Sequence, residues 1–369
     1  MKDQKVLVSG ASIAGLTTAW WLEHIGYQVT VVESAAAPRT NGAAVDLNEP
    51  AVAIVKRMGL YEQLRAHHLG VDRIEYKNAQ DITEGTIVIN DGSGPELGGE
   101  LEIEREQFVD VLMQALDQKV EFWFNDRIAQ LSDSGENVEV TFRSDKRSEF
   151  DLVIGCDGSH SGTRKLCFGP EQDFEHFLGA YFAISIIPKL LVPQRTMQTF
   201  SVPYKSLMLN AYNGKTDVIF IFLSGEISYD YRDSAQQRQI IAERFKGDGW
   251  RTGELLDEVA GADFYFDKFC QIKMPSWSKG RVALVGDAAY CPSPAAGQGG
   301  SLAIQGSAAL ADALVKHNGD HRFAFAEYEK LLRPQIEEVQ AMAEQNVKTH
   351  FVLKTEEEIR QRNTEARHF

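Results

Sequence analysis

Lys5–Ser9 (KVLVS) is a short, mostly apolar run, followed by GASIAG and then by residues 16–25 (LTTAWWLEHI), which read as a helix. Gly26 closes that helix, and a second apolar run over 28–32 predicts a strand, so the first thirty residues form a βαβ pattern. Two later runs have the unbroken hydrophobicity of strands covered on both faces. Residues 148–158 (SEFDLVIGCDG) end on Asp157-Gly158, and residues 281–285 (RVALV) lead into Gly286-Asp287. Between them, 177–187, 196–202, 206–212 and 216–223 alternate apolar and polar positions, with Asn213-Gly214 as a turn, and so predict a meander sheet. Amphipathic stretches SAQQRQIIAERF and GELLDEVA follow, then a strand across 263–272. From Leu331 the chain is expected to be helical after Pro334, with charges of alternating sign that mark a solvated face or a brace.

Composition narrows the partners. With 38 basic and 53 acidic residues the formal charge is −15, and no Lys/Arg-rich block is present, which disfavours nucleic acid. Four cysteines without a CxxC spacing predict neither a disulfide framework nor a metal site, and fit a reducing cytoplasm. The first residues, MKDQKVLVSG, lack the apolar stretch of a signal peptide, and no run approaches the roughly 20 apolar residues of a membrane span.

In the βαβ unit, Gly10 permits the tight turn, Gly15 lets helix pack closely on strand, and the first-turn amides at Ser12, Ile13 and Ala14 would meet a pyrophosphate. Ser12 stands where the fingerprint has its middle glycine, as the smallest polar replacement. Glu33 ends the second strand 23 residues after Gly10, the place of the acid that accepts from the adenosine ribose. These features predict a dinucleotide without deciding between FAD and NAD(P).

The order of GASIAG, Asp157-Gly158 followed by SHSGTRK, and Gly286-Asp287 followed by AAYCPSPAAGQGGS resembles the single-component (class A) flavoprotein aromatic hydroxylases, which include p-hydroxybenzoate hydroxylase, ubiquinone-pathway hydroxylases and tetracycline-inactivating monooxygenases. The resemblance covers nearly the whole chain and implies FAD. It places Asp287 at the ribityl chain, and Gly297, Gly299, Gly300 and Ser301 at a helix N-terminus facing the flavin pyrimidine, where reduced flavin carries negative charge. It sets Asp157 near the pyrophosphate, Arg105 on the FAD linker, and Arg39 and Asp46 on loops beside the ribose or flavin. Arg164 matches the basic residue after the aspartate–glycine motif. Pro294 and Gly297 would border the oxygen-reacting face through backbone, with no side-chain acid or base assigned. The chain departs from the pattern at Ser293 for the first proline, Tyr290 for a histidine, Ser301 for an asparagine and Gly306 for an aspartate.

The fold implied is α/β: a Rossmann-type FAD-binding domain over 1–72, 101–170 and 274–332, interleaved with a β-sheet substrate domain over 73–100 and 171–273, and a C-terminal helix over 333–369. The reaction implied is hydroxylation of a hydrophobic aromatic or polyketide-like small molecule by a monomer or weak dimer. NADPH or NADH reduces the flavin and O2 reacts as a flavin C4a-hydroperoxide. An oxidase, dehydrogenase or reductase on the same scaffold, or a flavin-binding sensor, are the alternatives. Met208, Asn210, Phe220 and Phe222 alternate at strand spacing, so one set lines the pocket and the other the core. Tyr204 and Tyr212 are candidates to orient a phenol, and His160 to meet a nicotinamide phosphate. Trp20-Trp21 and Cys291 are expected to serve packing, and His67-His68 to face solvent.

Overall fold

A computed structural model describes residues 4–38, 42–90, 99–116, 118–230 and 232–366. Two compact units emerge, one of residues 1–68, 100–176 and 270–341, the other of 69–99, 177–269 and 342–369.

In the first unit the opening strand Lys5–Ser9 lies at the centre of a six-stranded sheet. Gln28–Glu33 and then Glu121–Phe124 pair in parallel on one side of it; Leu152–Gly155 and then Val282–Leu284 pair in parallel on the other. Ser278–Lys279 closes that edge antiparallel. Val6, Leu7, Val8, Val153 and Ile154 are wholly buried, as a parallel sheet covered on both faces demands. The first helix, Ile13–His24, packs against the long helix Gly299–Lys316, and Trp20 and Trp21 are buried within this layer. A smaller antiparallel sheet of Ile128–Asp133, Val138–Phe142 and Arg147–Phe150 packs on the first, its Val140, Phe142 and Phe150 sharing one apolar core with Leu7, Val32 and Val153.

The second unit is built on a seven-stranded sheet. Its order is Tyr265–Ile272, Glu175–Ile187, Lys215–Leu223, Lys205–Tyr212, Thr196–Val202, Arg73–Lys77 and Thr83–Val88. Residues 196–223 form a meander, but the run 177–187 expected to open it pairs instead with Lys215–Leu223 at its far side, and Arg73–Lys77 joins in parallel beside Thr196–Val202. One face is sealed by the helices Ser234–Phe245 and Thr252–Ala260, over a core that includes Leu207, Leu209, Val218, Phe220 and Phe222.

The C-terminal segment differs from the sequence expectation. One helix, His321–Asn346, starts thirteen residues before Pro334 and runs through it. Proline removes one helical hydrogen bond, and the buried side chains of Phe325, Tyr328, Leu332, Ile336 and Val339 on either side hold the helix together across the break. A π-turn at Val347–Phe351 precedes a last helix, Glu356–Glu365, started by a capping box between Thr355 and Glu358. Among the described residues no helix is long and apolar enough to cross a membrane.

Candidate functional site

The opening strand sends its two parallel neighbours to opposite sides, which makes its C-terminal end the switch point where α/β sheets bind ligands. Gly10 sits there at φ +107°, and a Cβ on it would stand 2.5 Å from the Cys156 carbonyl oxygen; one on Gly15 would stand 1.8 Å from the oxygen of Gly10. Turn, neighbouring strand and first helix therefore touch backbone to backbone, the cradle that a dinucleotide phosphate needs. Ser12 occupies the N-cap with an extended backbone, and its side chain makes no capping bond. Ile13 is buried, whereas Ala14 lies beside the Gly286 turn, 3.0 Å from where a Cβ of that glycine would sit. The Glu33 carboxylate accepts from the amides of Ala11 (2.8 Å) and Ala35 (2.9 Å), so its orientation is set from both sides of the turn while lone pairs remain for a ribose hydroxyl.

Asp157 is a loop organiser. One carboxylate oxygen accepts from the Ser161 hydroxyl, the other from the amide and hydroxyl of Thr163, both at 2.9 Å. Arg164, wholly buried, donates to the carbonyls of Ser159 and Ala288 and to Glu171, tying the aspartate–glycine loop to the glycine–aspartate turn. Burial pulls its guanidinium below the ordinary arginine range. His160, in an ion pair with the same Glu171, is half exposed.

Gly286 takes φ +68°, and Asp287 follows it at the start of a short helix. Burial pushes the Asp287 carboxyl up, against the opposing pull of Arg105 and a hydrogen bond with Cys291. The position of a Cβ on Gly299 lies 3.8 Å from Asp287 Oδ1, and one on Gly297, which is left-handed at φ +65°, lies 3.9 Å from Asp46 Oδ2. Solvent reaches Asp46, yet the protein crowded around it and the nearby Glu100 push its carboxyl up to about 6. Arg105 begins the helix Arg105–Leu116 and crosses Gly42, whose Cβ would stand 3.0 Å from its Nε. Asp46, Arg105, Asp287 and the 297–299 turn thus converge. Arg39 lies outside the described residues.

Two of the expected cofactor contacts have other work. A Cβ on Gly300 would fall 2.2 Å from Val45 Cγ1, so this glycine makes room for the strand Val45–Leu47. The Ser301 hydroxyl, fully buried, donates to the Asp46 carbonyl (2.8 Å) and accepts from the Asn48 amide (2.9 Å). Its one proton is spent on that strand and cannot be offered to a flavin. Asn48, which the sequence reading passed over, extends this clasp. It caps the helix Glu49–Arg57, donates to Gln298 (3.2 Å) and accepts from Gln305 (3.1 Å), which in turn accepts from Gln335 (2.8 Å). Ser293, the departure from the family pattern, has φ +82° on entering the Pro294–Ala296 turn, an angle closed to proline.

The cradle at Gly10 and Gly15, the set of Glu33 and the convergence of Arg105 with Asp287 fit FAD. Residues 3–323 match the family model described as FAD binding domain. The chain belongs to this FAD-binding family. A flavin-dependent monooxygenase from an unknown prokaryotic organism is 37% identical over 344 residues, covering 92% of this chain and 88% of the relative. An uncharacterized protein of Mycobacterium tuberculosis is 38% identical over 349 residues, 93% of each. The crystal structure of tetracycline destructase Tet(55) superposes with a TM-score of 0.87 at 34% identity, over 99% of this chain and 96% of that one. Several relatives of this degree of likeness are flavin-dependent monooxygenases, and this chain is an FAD-dependent monooxygenase.

The four expected substrate residues are divided by the sheet of the second unit. Phe220 and Phe222 point to the helix-covered face, where both rings meet Phe245, and are core residues; a pocket role for them is overturned by that burial. Met208 and Asn210 belong to the opposite face. There the cross-strand rows Met197–Asn210–Asp217 and Thr199–Met208–Ile219 leave Met197, Met208 and Ile219 partly open. Asn210 is 8% exposed, and its Oδ1 has no hydrogen-bond partner. Tyr212 on this face donates to Asp217 (2.8 Å), and Tyr204 is exposed in a turn.

Proposed function

We propose that this monooxygenase hydroxylates a hydrophobic aromatic or polyketide-like small molecule, consuming NAD(P)H and O2 in a reducing cytoplasm. The observation that carries the substrate class is the open face of the second unit's sheet. Its partly open apolar side chains, Met197, Met208 and Ile219, share that face with a buried amide oxygen, that of Asn210, which lacks a donor. A flat apolar ring system bearing a hydroxyl or amide N–H matches both parts of that surface. The likeness to a tetracycline destructase supports a polycyclic phenol or enol. The four unbridged cysteines support the compartment.

When bound, FAD supplies the redox chemistry with O2. The residues of this chain hold and shield it. Gly10 and Gly15 admit the pyrophosphate to the switch point, Glu33 orients the adenosine ribose, and Arg105 and Asp287 fix the middle of the cofactor. The turn at Pro294 and Gly297 borders the reacting face with backbone alone. Residues 69–99 and 177–269 act as the substrate-binding unit, and the enzyme works as a monomer or weak dimer.

The decisive experiment screens aromatic polyketides and simple phenols for stimulation of NAD(P)H oxidation, with mass spectrometry of the products. A gain of one oxygen in a polycyclic phenol is expected. Stimulated oxidation that yields only peroxide with every compound would make the enzyme an oxidase and sink the proposal.

A further inference from the structure

Between the short helix Asp287–Tyr290 and the Pro294–Ala296 turn, residues 291–293 belong to no helix or strand. The Ser293 carbonyl is met by the Ala296 amide, whereas those of Cys291 and Pro292 need partners from elsewhere. Two buried glutamines provide them. Gln271 Nε2 donates to the Pro292 carbonyl (3.2 Å) and to that of Gln340 (2.7 Å); Gln340 Nε2 donates to the carbonyls of Cys291 (3.2 Å) and Ile272 (2.9 Å). Gln271 is 0% and Gln340 5% exposed, and the Ile272 amide adds a second bond to the Cys291 carbonyl at 3.0 Å. Strand Tyr265–Ile272, helix His321–Asn346 and the loop are thereby joined at one point.

The next residue is Ser293, at φ +82° and ψ 148°. Side chains other than glycine hold such a backbone only where the surroundings over-determine it. The second end of Gln271 points the same way. Its Oε1 is buried without a hydrogen-bond partner, which costs stability. A leucine of similar size would avoid that cost but leave the Pro292 and Gln340 carbonyls bare. Only the amino end explains a glutamine there.

We propose that Gln271 and Gln340 are positioning residues that clamp Cys291-Pro292 and force Ser293 into its strained backbone, thereby setting the Pro294–Gly297 turn against the flavin. The inference rests on the reading of that turn as a flavin contact. It makes the strain at Ser293 and the two amides one device: the clamp is needed only because residue 293 is not glycine.

The test follows FAD release from the full-length holoenzyme, read as the rise in flavin fluorescence after dilution. Gln340→Met and Gln271→Met each are expected to speed release about tenfold, the effect of one buried hydrogen-bonding group lost. In a chain already carrying Ser293→Gly, the same substitutions should change release by less than about threefold, because the strain they guard against is gone. Equal acceleration in both backgrounds would reduce the glutamines to general stability and overturn the proposal. Gly297→Ala separates the two readings. If it speeds release while the glutamine variants do not, the clamp alone fails; if none of the three affects release, the turn is not a flavin contact. Should a glutamine variant fail to fold, recovery of folding by Ser293→Gly supports the clamp, and failure in both backgrounds overturns it.

Discussion

The hydroxyl of Tyr290 fills the space that a side chain at residue 306 would need: a Cβ on Gly306 would fall 1.9 Å from it. Tyr290 is 1% exposed, packs at a tilt against Trp277 and shares a hydrogen bond with Tyr328 (3.2 Å), whose own hydroxyl reaches the Leu284 carbonyl. The resemblance to the aromatic hydroxylases puts histidine at 290 and aspartate at 306. The two departures are a single exchange, a large side chain on one helix traded for none on the other. Gly306→Ala should therefore destabilise the enzyme by about 2–3 kcal/mol through overpacking, measured as a lower denaturant midpoint. Gly306→Asp alone should be worse, and Tyr290→His in the same chain should recover part of the loss; additive losses would break the link.

Asp46 brings a pH dependence of definite sign. Its folded carboxyl at about 6 lies above its ordinary value of 3.8. Its contribution to stability is thus fully present below about pH 4 and is lost as pH rises through 6. Relative to Asp46→Asn, the native enzyme should lose thermal stability between about pH 4 and pH 6. Glu100→Gln should move that loss to lower pH, because one source of repulsion is removed. Parallel melting-temperature profiles for native enzyme and Asp46→Asn would refute the assignment.

Arg164 holds two carbonyls and Glu171 while wholly buried. Arg164→Met should cost about 1–3 kcal/mol, since it leaves two carbonyls without their donor. Arg164→Lys should recover little, because a single ammonium cannot span the fork. Chemical denaturation of the three proteins decides this.

The two faces of the second unit's sheet should respond oppositely to substitution. Phe220→Ala empties part of the core and should cost about 3–5 kcal/mol of stability. Asn210→Leu should leave stability nearly unchanged or improve it, as it removes an unmatched buried oxygen. It should raise KM for a hydroxylated substrate by about tenfold or more. An Asn210→Leu enzyme with unaltered KM would move the substrate elsewhere.

Much of the first unit was legible because it is written in local chemistry. Gly10, Gly15 and Glu33 carry fixed spacings, and unbroken apolar strands announce a parallel sheet. Ser301 shows where legibility stops. Its type and place suited a cofactor contact, but whether a hydroxyl faces a ligand or a neighbouring strand depends on Val45–Leu47, which is distant in sequence. The same holds for Phe220 and Met208: period two separates the faces, and only the helix Ser234–Phe245 decides which is covered. The helix through Pro334 is not legible from the sequence, because proline is a local signal and the burial of Phe325, Tyr328 and Ile336 is a long-range one. The Tyr290–Gly306 exchange was visible as two separate oddities; their connection required the 1.9 Å approach.

The amides beside the Gln298–Gly299 turn all point one way. Gln335 donates to Gln305, Gln305 to Asn48 and Asn48 to Gln298, each through its amino end. Such a line has a direction, and no member can rotate by half a turn unless every member does, since a single reversal would set two like ends facing each other. Gln298 is therefore aimed by a residue on another helix, two relays away. No member titrates, so this alignment is indifferent to the acidity that alters Asp46 next door.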